Sequence, residues 1–190
     1  MIVLGVDPGS IRTGWGAIDT DGRSHRLLGN GTLAPPPHLP LPDRLRAIHT
    51  GLAAVIERLR PEALAVEDLF HAKSVRSALV LGHVRGVVLL AGAQAGLPVF
   101  AFPPATVKLQ VTGFGRAEKA QVALMVARLL GLAGDGEAGD AADALAVALC
   151  FAHLAGPGSR VLAAPPGPAG RPAGSPTAAA ASCASRPRTW

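Results

Sequence analysis

Residues 2–20 read IVLGVDPGSIRTGWGAIDT, and the fold turns on how this stretch is parsed. Residues 2–7 (IVLGVD) form a near-continuous apolar run ending on an acid, the pattern of a strand covered on both faces. Pro8, Gly9 and Ser10 turn the chain, and Thr13–Thr20 reads as a second strand returning beside the first. Ala63–Asp68 (ALAVED) repeats the theme, a second strongly apolar strand that again ends in acids.

The remaining elements are arranged around these two strands. A third strand is expected over Arg26–Leu33, followed by a Pro-rich loop at 35–42. Asp43 is placed to start a helix, with Leu45, Ile48, Leu52, Val55, Ile56 and Leu59 at spacings of three and four along one face. That helix runs through Arg60 and is stopped by Pro61. Ser74–Gly96 reads as a long helix rich in Gly, Ala, Val and Leu, and Leu97–Phe102 as another short strand. Glu118–Leu130 is an amphipathic helix using Val122, Met125, Val126 and Leu129, and Ala138–Leu154 makes the last helix. The expected class is α/β, a mixed sheet of about five strands flanked by helices, with the two acid-tipped strands central. From Gly156 onward Pro, Gly, Ala and Ser dominate, with too few large apolar residues to offset chain entropy. The expected division is one folded domain over residues 1–155 and a basic, disordered tail over 156–190.

Composition narrows the classes. The 190 residues carry 18 Lys+Arg against 13 Asp+Glu, a formal net charge of +5, with 49% hydrophobic residues and two Cys. That length is ample for one proper core and excludes a disulfide-stapled miniprotein or a collagen-like chain. Four of the basic residues, Arg160, Arg171, Arg186 and Arg188, lie in the tail without an acid among them. The rest of the chain is close to neutral, so its charge alone says little about a nucleic-acid partner. Cys150 and Cys183 form no disulfide framework, and no CxxC or Cys/His cluster offers a zinc site. A reducing cytoplasm is the expected compartment. The N-terminus lacks a basic n-region and reaches an acid after six residues, so no signal peptide is expected. The 22 uncharged residues from Gly86 to Val107 are broken by Pro98, Pro103 and Pro104, so the expectation is a soluble protein without a membrane partner.

The carboxylates carry the chemistry. An acid at the end of a buried strand must be paired, hydrogen-bonded or metal-bound, because burying its isolated charge is very costly. Asp7 has a bland alternative, capping the Pro8-Gly9-Ser10 turn. Glu67 has another, a strand end already in solvent or paired to an Arg. Asp68 must point to the opposite side from Glu67, so only one of them can share a side with Asp7. Asp140 and Asp143 lie one turn apart on one face at the start of the last helix, where a capping pair is also a good explanation. Together, four acids from two core strands and one helix could meet at one sheet edge only at high electrostatic cost unless cations joined them. Two Mg²⁺ ions spaced by ~3.5–4 Å can activate water and stabilise the leaving oxygen of a phosphodiester, and Mg²⁺ favours an all-oxygen set.

The blocks GVDPGSIRTGWG, AVEDLFHAKS, GRAEKAQV and DAADALAVA resemble, in order and approximate spacing, those of the RuvC-type Holliday-junction resolvases, over roughly residues 1–154. The resemblance implies a ribonuclease H-like fold, a homodimer, and Mg²⁺-dependent cutting of four-way DNA junctions. Mn²⁺ is a possible substitute ion. Two symmetric nicks with 5′-phosphate and 3′-hydroxyl ends are implied as well, in recombination and DNA repair, as is a branch-migration helicase as partner. Motif matching assigns catalysis and metal binding to Asp7, Glu67, Asp140 and Asp143, choosing Glu67 over Asp68. It also matches Phe70 to an aromatic inserted at the junction, and Lys108 and Lys119 to lysines close to the scissile phosphate. Lys73, Arg76 and Arg116 are candidate phosphate contacts by position.

The chain departs from the family pattern at Asp68, where an amide is usual, at Ser74, usually Asn, and at Val80 and His83, usually polar residues. Two other readings stay in view. One is a ribonuclease H-like nuclease of ribosomal RNA processing, which shares the DPG opening. The other is a junction-binding protein without catalysis, against which all four acids argue. A two-lobed phosphotransferase is disfavoured, because such enzymes need a second, homologous lobe that these 190 residues do not supply. In the long helix, Leu79, Val87 and Leu90 are candidates for subunit packing, with burial against the sheet as the alternative.

Overall fold

The apolar run at the N-terminus is the middle of the sheet: Val3, Leu4 and Val6 of strand β1 (Ile2–Asp7) are wholly buried. The structure is a computed structural model that describes residues 1–68, 74–132 and 139–155. β1 pairs antiparallel with β2 (Thr13–Thr20), which pairs antiparallel with β3 (His25–Leu33). On its other side β1 pairs parallel with β4 (Ala63–Glu67), and β4 with β5 (Val99–Phe102). The sheet is therefore mixed, five strands in the order β3-β2-β1-β4-β5, with the two acid-tipped strands side by side near its centre as expected.

Strand alternation divides the core. Leu4, Val6, Trp15, Ala17, Leu64 and Val66 face helices α1 (Leu41–Leu59) and α2 (Val75–Gln94). Val3, Ile18, Ala63, Ala65 and Phe102 face α3 (Pro104–Thr112), α4 (Lys119–Leu129) and α5 (Asp140–Leu154). α5 is apolar on nearly every side and buried from Ala144 through Ala152, as a helix inside a core must be. It lies unusually close to the sheet. A Cβ on Gly5 would stand 2.1 Å from the Ala144 carbonyl oxygen, and one on Gly14 would stand 1.9 Å from that of Asp140. Backbone meets backbone here, so only glycine fits.

Several boundaries differ from the sequence reading. α1 begins at Leu41 behind Pro40, and Asp43 sits inside its first turn rather than at its cap, because proline is tolerated in a helix's opening turn. α3 is absent from the sequence reading. Pro103 and Pro104 read as breakers, whereas Pro104 is the first residue of the helix. α2 starts behind Ser74, whose hydroxyl accepts from the Ser77 amide at 3.2 Å, so a serine does here the capping work that asparagine does equally well. α2 is long and apolar enough to cross a membrane by length and composition, yet Val84, Val88 and Ala91 pack into the domain core. Its other face is open: Leu79 is 61% and Leu90 50% exposed, so burial against the sheet does not account for them. Phe70, Lys73 and the segment 156–190 lie outside the described residues.

Candidate active site

β1 and β4 run in the same direction with Val6 opposite Val66, so Asp7 and Glu67 leave the sheet together, one residue further on. Both belong to the alternation phase that faces α5, with Val3 and Gly5 on one strand and Ala63 and Ala65 on the other. Asp7 finds its hydrogen-bond partner in the Glu67 carboxyl. Asp68 points to the opposite side, where Arg85 Nη2 of α2 stands 3.1 Å from its Oδ1. Strand alternation thus separates the two neighbouring acids, and the extra charge at Asp68 is met by a guanidinium.

The tight approach of α5 brings its N-terminus over this strand end. The residue preceding the helix is Gly139, with φ 140, and no side chain caps the helix. Asp140 and Asp143 are therefore not a capping pair. Asp143 Oδ2 accepts from Lys119 Nζ at 2.8 Å, and Asp140 Oδ2 lies 2.8 Å from Arg12 Nε. Lys119 opens α4 behind Glu118, which forms a capping box with Gln121, and this fixes where the lysine emerges. Asp7, Glu67, Asp143, Lys108 and Lys119 line a single cleft of about 340 Å³. Asp7, Glu67 and Lys108 also line a neighbouring cleft of about 510 Å³ that reaches Asp68 and Leu81. Asp140 stands beside these walls rather than in them. Arg76 and Arg116 are exposed and line neither cleft.

Charge crowding shows in the protonation behaviour. Burial, then the neighbouring Asp7 charge, pushes Glu67 up to about 8. Burial also raises Asp7, partly offset by its hydrogen bond to Glu67, with Asp143 adding repulsion. The hydrogen bond to Asp143 raises Lys119. Burial and the Asp7 charge thus favour the protonated form of Glu67 near neutral pH, while the two acids of α5 are each held by a side-chain cation.

This donor set suits a hard divalent cation. It is all oxygen, it is partly buried, and a cation held by Asp7 and Glu67 would offset the burial and the mutual repulsion that raise both carboxyls. Among the described residues no three His, Cys, Asp or Glu side chains are already gathered about one point. The acids of α5 are held instead by Lys119 and Arg12.

Of the residues singled out in the sequence, Asp7, Glu67, Asp143, Lys108 and Lys119 come together at the cleft, and Asp140 does not line it. Sequence reasoning missed Arg12, Arg85 and the role of Gly5 and Gly14. Glycines inside apolar strands were the available signal for the last two, since an interior strand glycine marks a close backbone approach.

A mixed sheet with acids at the ends of adjacent parallel strands and on the helix crossing them defines a domain of the ribonuclease H-like class. Within that class, the chain belongs to the family described as crossover junction endodeoxyribonuclease RuvC, whose family model matches residues 3–151. A Chloroflexus aggregans protein named for that activity is 49% identical over 155 residues, covering 82% of this chain and 94% of its own. A Xanthobacter autotrophicus protein of the same name is 49% identical over 162 residues, covering 85% and 95%. Among solved structures, the Thermus thermophilus RuvC in complex with Holliday junction substrate superposes with a TM-score of 0.78 at 40% identity, covering 82% of this chain and 94% of that one.

Proposed function

We propose that this chain is a structure-selective endonuclease that resolves four-way DNA junctions by paired, symmetric, Mg²⁺-dependent nicks, in recombination and DNA repair. The observation that carries the reading is the Asp7–Glu67 carboxyl pair at the ends of neighbouring parallel strands, in a cleft shared with Asp143, Lys108 and Lys119.

Asp7, Glu67, Asp140 and Asp143 are the residues that would hold two Mg²⁺ ions, or Mn²⁺ in their place. When bound, such ions supply Lewis acidity at the phosphate and make water a competent nucleophile at neutral pH. The protein's own part is orientation and charge. Parallel pairing fixes Asp7 beside Glu67, and the close seat of α5 fixes Asp143 opposite them. Lys108 and Lys119 bring ammonium groups to the wall along which a phosphate would lie. Arg76 and Arg116 are exposed side chains suited to backbone phosphates further out. Phe70 as a group stacking on an unpaired base, and Lys73 as a phosphate contact, rest on the motif alone.

A four-way junction has approximate two-fold symmetry, so a C₂ dimer can present one site to each of two opposed strands. The open face of α2 suits a second copy. Leu45, Leu79, His83, Val87 and Leu90 line a groove there, with Gly82 and Gly86 where an added Cβ would meet nothing. Mid-helix glycine costs about 0.5–1 kcal/mol relative to alanine, and a partner helix approaching closely would offset it. A monomer mass by light scattering at micromolar concentration would count against this arrangement. A branch-migration helicase as further partner and a cytoplasmic location complete the reading.

The deciding experiment incubates the protein with a synthetic four-way junction, with and without Mg²⁺, and scores paired symmetric nicks against a linear duplex of the same sequence. Asp7→Asn should bind the junction as the unaltered chain does and cut it more than about a hundredfold more slowly, since even outer-shell partners of metals act on that scale. Undiminished cutting by Asp7→Asn would sink the assignment.

A further inference from the structure

We infer that Arg12 is a built-in competitor for the divalent cation at Asp140, so that this side chain raises the ion concentration at which the centre loads. The inference rests on the metal-dependent reading above.

Arg12 comes from the Pro8–Thr13 turn, and that turn is held firmly. Thr13 is wholly buried and its hydroxyl donates to the Gly9 carbonyl at 3.2 Å. A Cβ on Gly9 would stand 1.9 Å from the Arg12 carbonyl oxygen. Directly beyond, Gly14 abuts the Asp140 backbone. Both Cα positions are therefore set by backbone packing, so the ion pair opens only through side-chain rotation.

That side chain is 60% exposed, against 34% for Asp140. Its guanidinium holds the carboxylate through Nε at 2.8 Å, yet it is wet enough to leave without stranding a buried charge. The guanidinium occupies one of the two carboxylate oxygens and sets a positive charge where a cation would approach, so Arg12 opposes loading at Asp140 by occupancy and by repulsion. Lys119 stands in a similar relation to Asp143, but it also lines the cleft and so has a claim on the phosphate. Arg12 lines neither cleft, which leaves Asp140 as the carboxylate it guards. An ion pair this exposed is weak, so the competition is modest and screened by salt.

The test titrates the full chain with Mn²⁺, without DNA, and follows the EPR signal of the free ion, at low and at high salt. Arg12→Gln keeps a polar side chain of similar length and removes the charge; Arg12→Ala is the second variant. Both should bind Mn²⁺ more tightly than the unaltered chain, by about two- to fivefold at low salt, with the gap narrowing at high salt. Equal or weaker Mn²⁺ binding by both variants would overturn the inference. So would a gap indifferent to salt, because that marks a packing effect. Asp7→Asn serves as the separate control. If it binds Mn²⁺ as well as the unaltered chain, the metal-centre reading itself fails. If it loses binding while the Arg12 variants match the unaltered chain, only the role of Arg12 fails.

Discussion

Glu67 holds its proton because of where the chain puts it, and this makes a prediction at the scale of one residue. A carboxyl whose folded-state pKa lies above its unfolded value binds its proton more tightly when folded. Its contribution to stability is whole below the ordinary carboxylate range and is lost as pH rises toward about 8. The metal-free protein should therefore melt at progressively lower temperature from pH 5 to pH 8. Glu67→Gln should flatten that slope, leaving the variant more stable at pH 8 by roughly 5–10 °C. Thermal melts in EDTA across this range check it. A second prediction concerns Lys108, which lines both clefts. Lys108→Ala should slow junction cutting at least about tenfold while leaving the melting temperature within a degree or two, since partly exposed side chains outside the core contribute little to stability. At this scale much was legible. Asp7 and Glu67 were readable at their strand ends because isolated buried charge demands a reason, whereas Asp140 and Asp143, for which capping was as good an explanation, were singled out by their motif. Strand alternation foretold that Asp68 would face away from Glu67, but not that Arg85 would meet it. Nor could spacing foretell Arg12, because an arginine in a turn has no periodicity to place its side chain.

Among the elements, α5 decides the geometry. The sequence marked it as a helix, but not how near the sheet it lies. That depends on what a missing Cβ permits, which only the packed partner reveals. Gly5→Ala should force the helix outward, since the new Cβ would meet the Ala144 carbonyl oxygen at 2.1 Å. A loss of about 2–3 kcal/mol is expected, read by urea unfolding, together with a fall in cutting larger than the loss of folded protein explains. α3 escaped the sequence reading for a different reason. A Pro-Pro pair both ends the preceding strand and pre-sets the first turn of a helix, and the short apolar pattern of α3, Val107 and Val111, is too brief to establish a period. α2 was legible as a helix, and its open face now carries the dimer proposal. Leu79→Asp should reduce self-association measured by sedimentation and leave the far-UV spectrum unchanged, because Leu79 is already 61% exposed in the single chain.

For the molecule as a whole, binding and stability are linked. A cation that binds the folded chain and not the unfolded one raises the melting temperature by mass action. Millimolar Mg²⁺ should therefore raise the melting temperature of the unaltered protein and leave that of Asp7→Asn nearly unmoved, as differential scanning fluorimetry would show. Junction affinity should fall as salt rises through counterion release; salt-indifferent binding would contradict the proposed lysine and arginine contacts. The contact between α5 and the sheet has a further bearing on how this architecture can be altered. Because Gly5 and Gly14 touch main-chain atoms of the helix, the spacing of the acids is set by peptide groups rather than by the acids themselves. Ligand identity is thereby uncoupled from scaffold geometry: a carboxylate can be exchanged for an amide or an imidazole without a change in the frame that carries it. Neutral variants should hold substrate in its reactive pose and serve as traps, and the acids of α5 form a cassette in which ion preference can be re-specified.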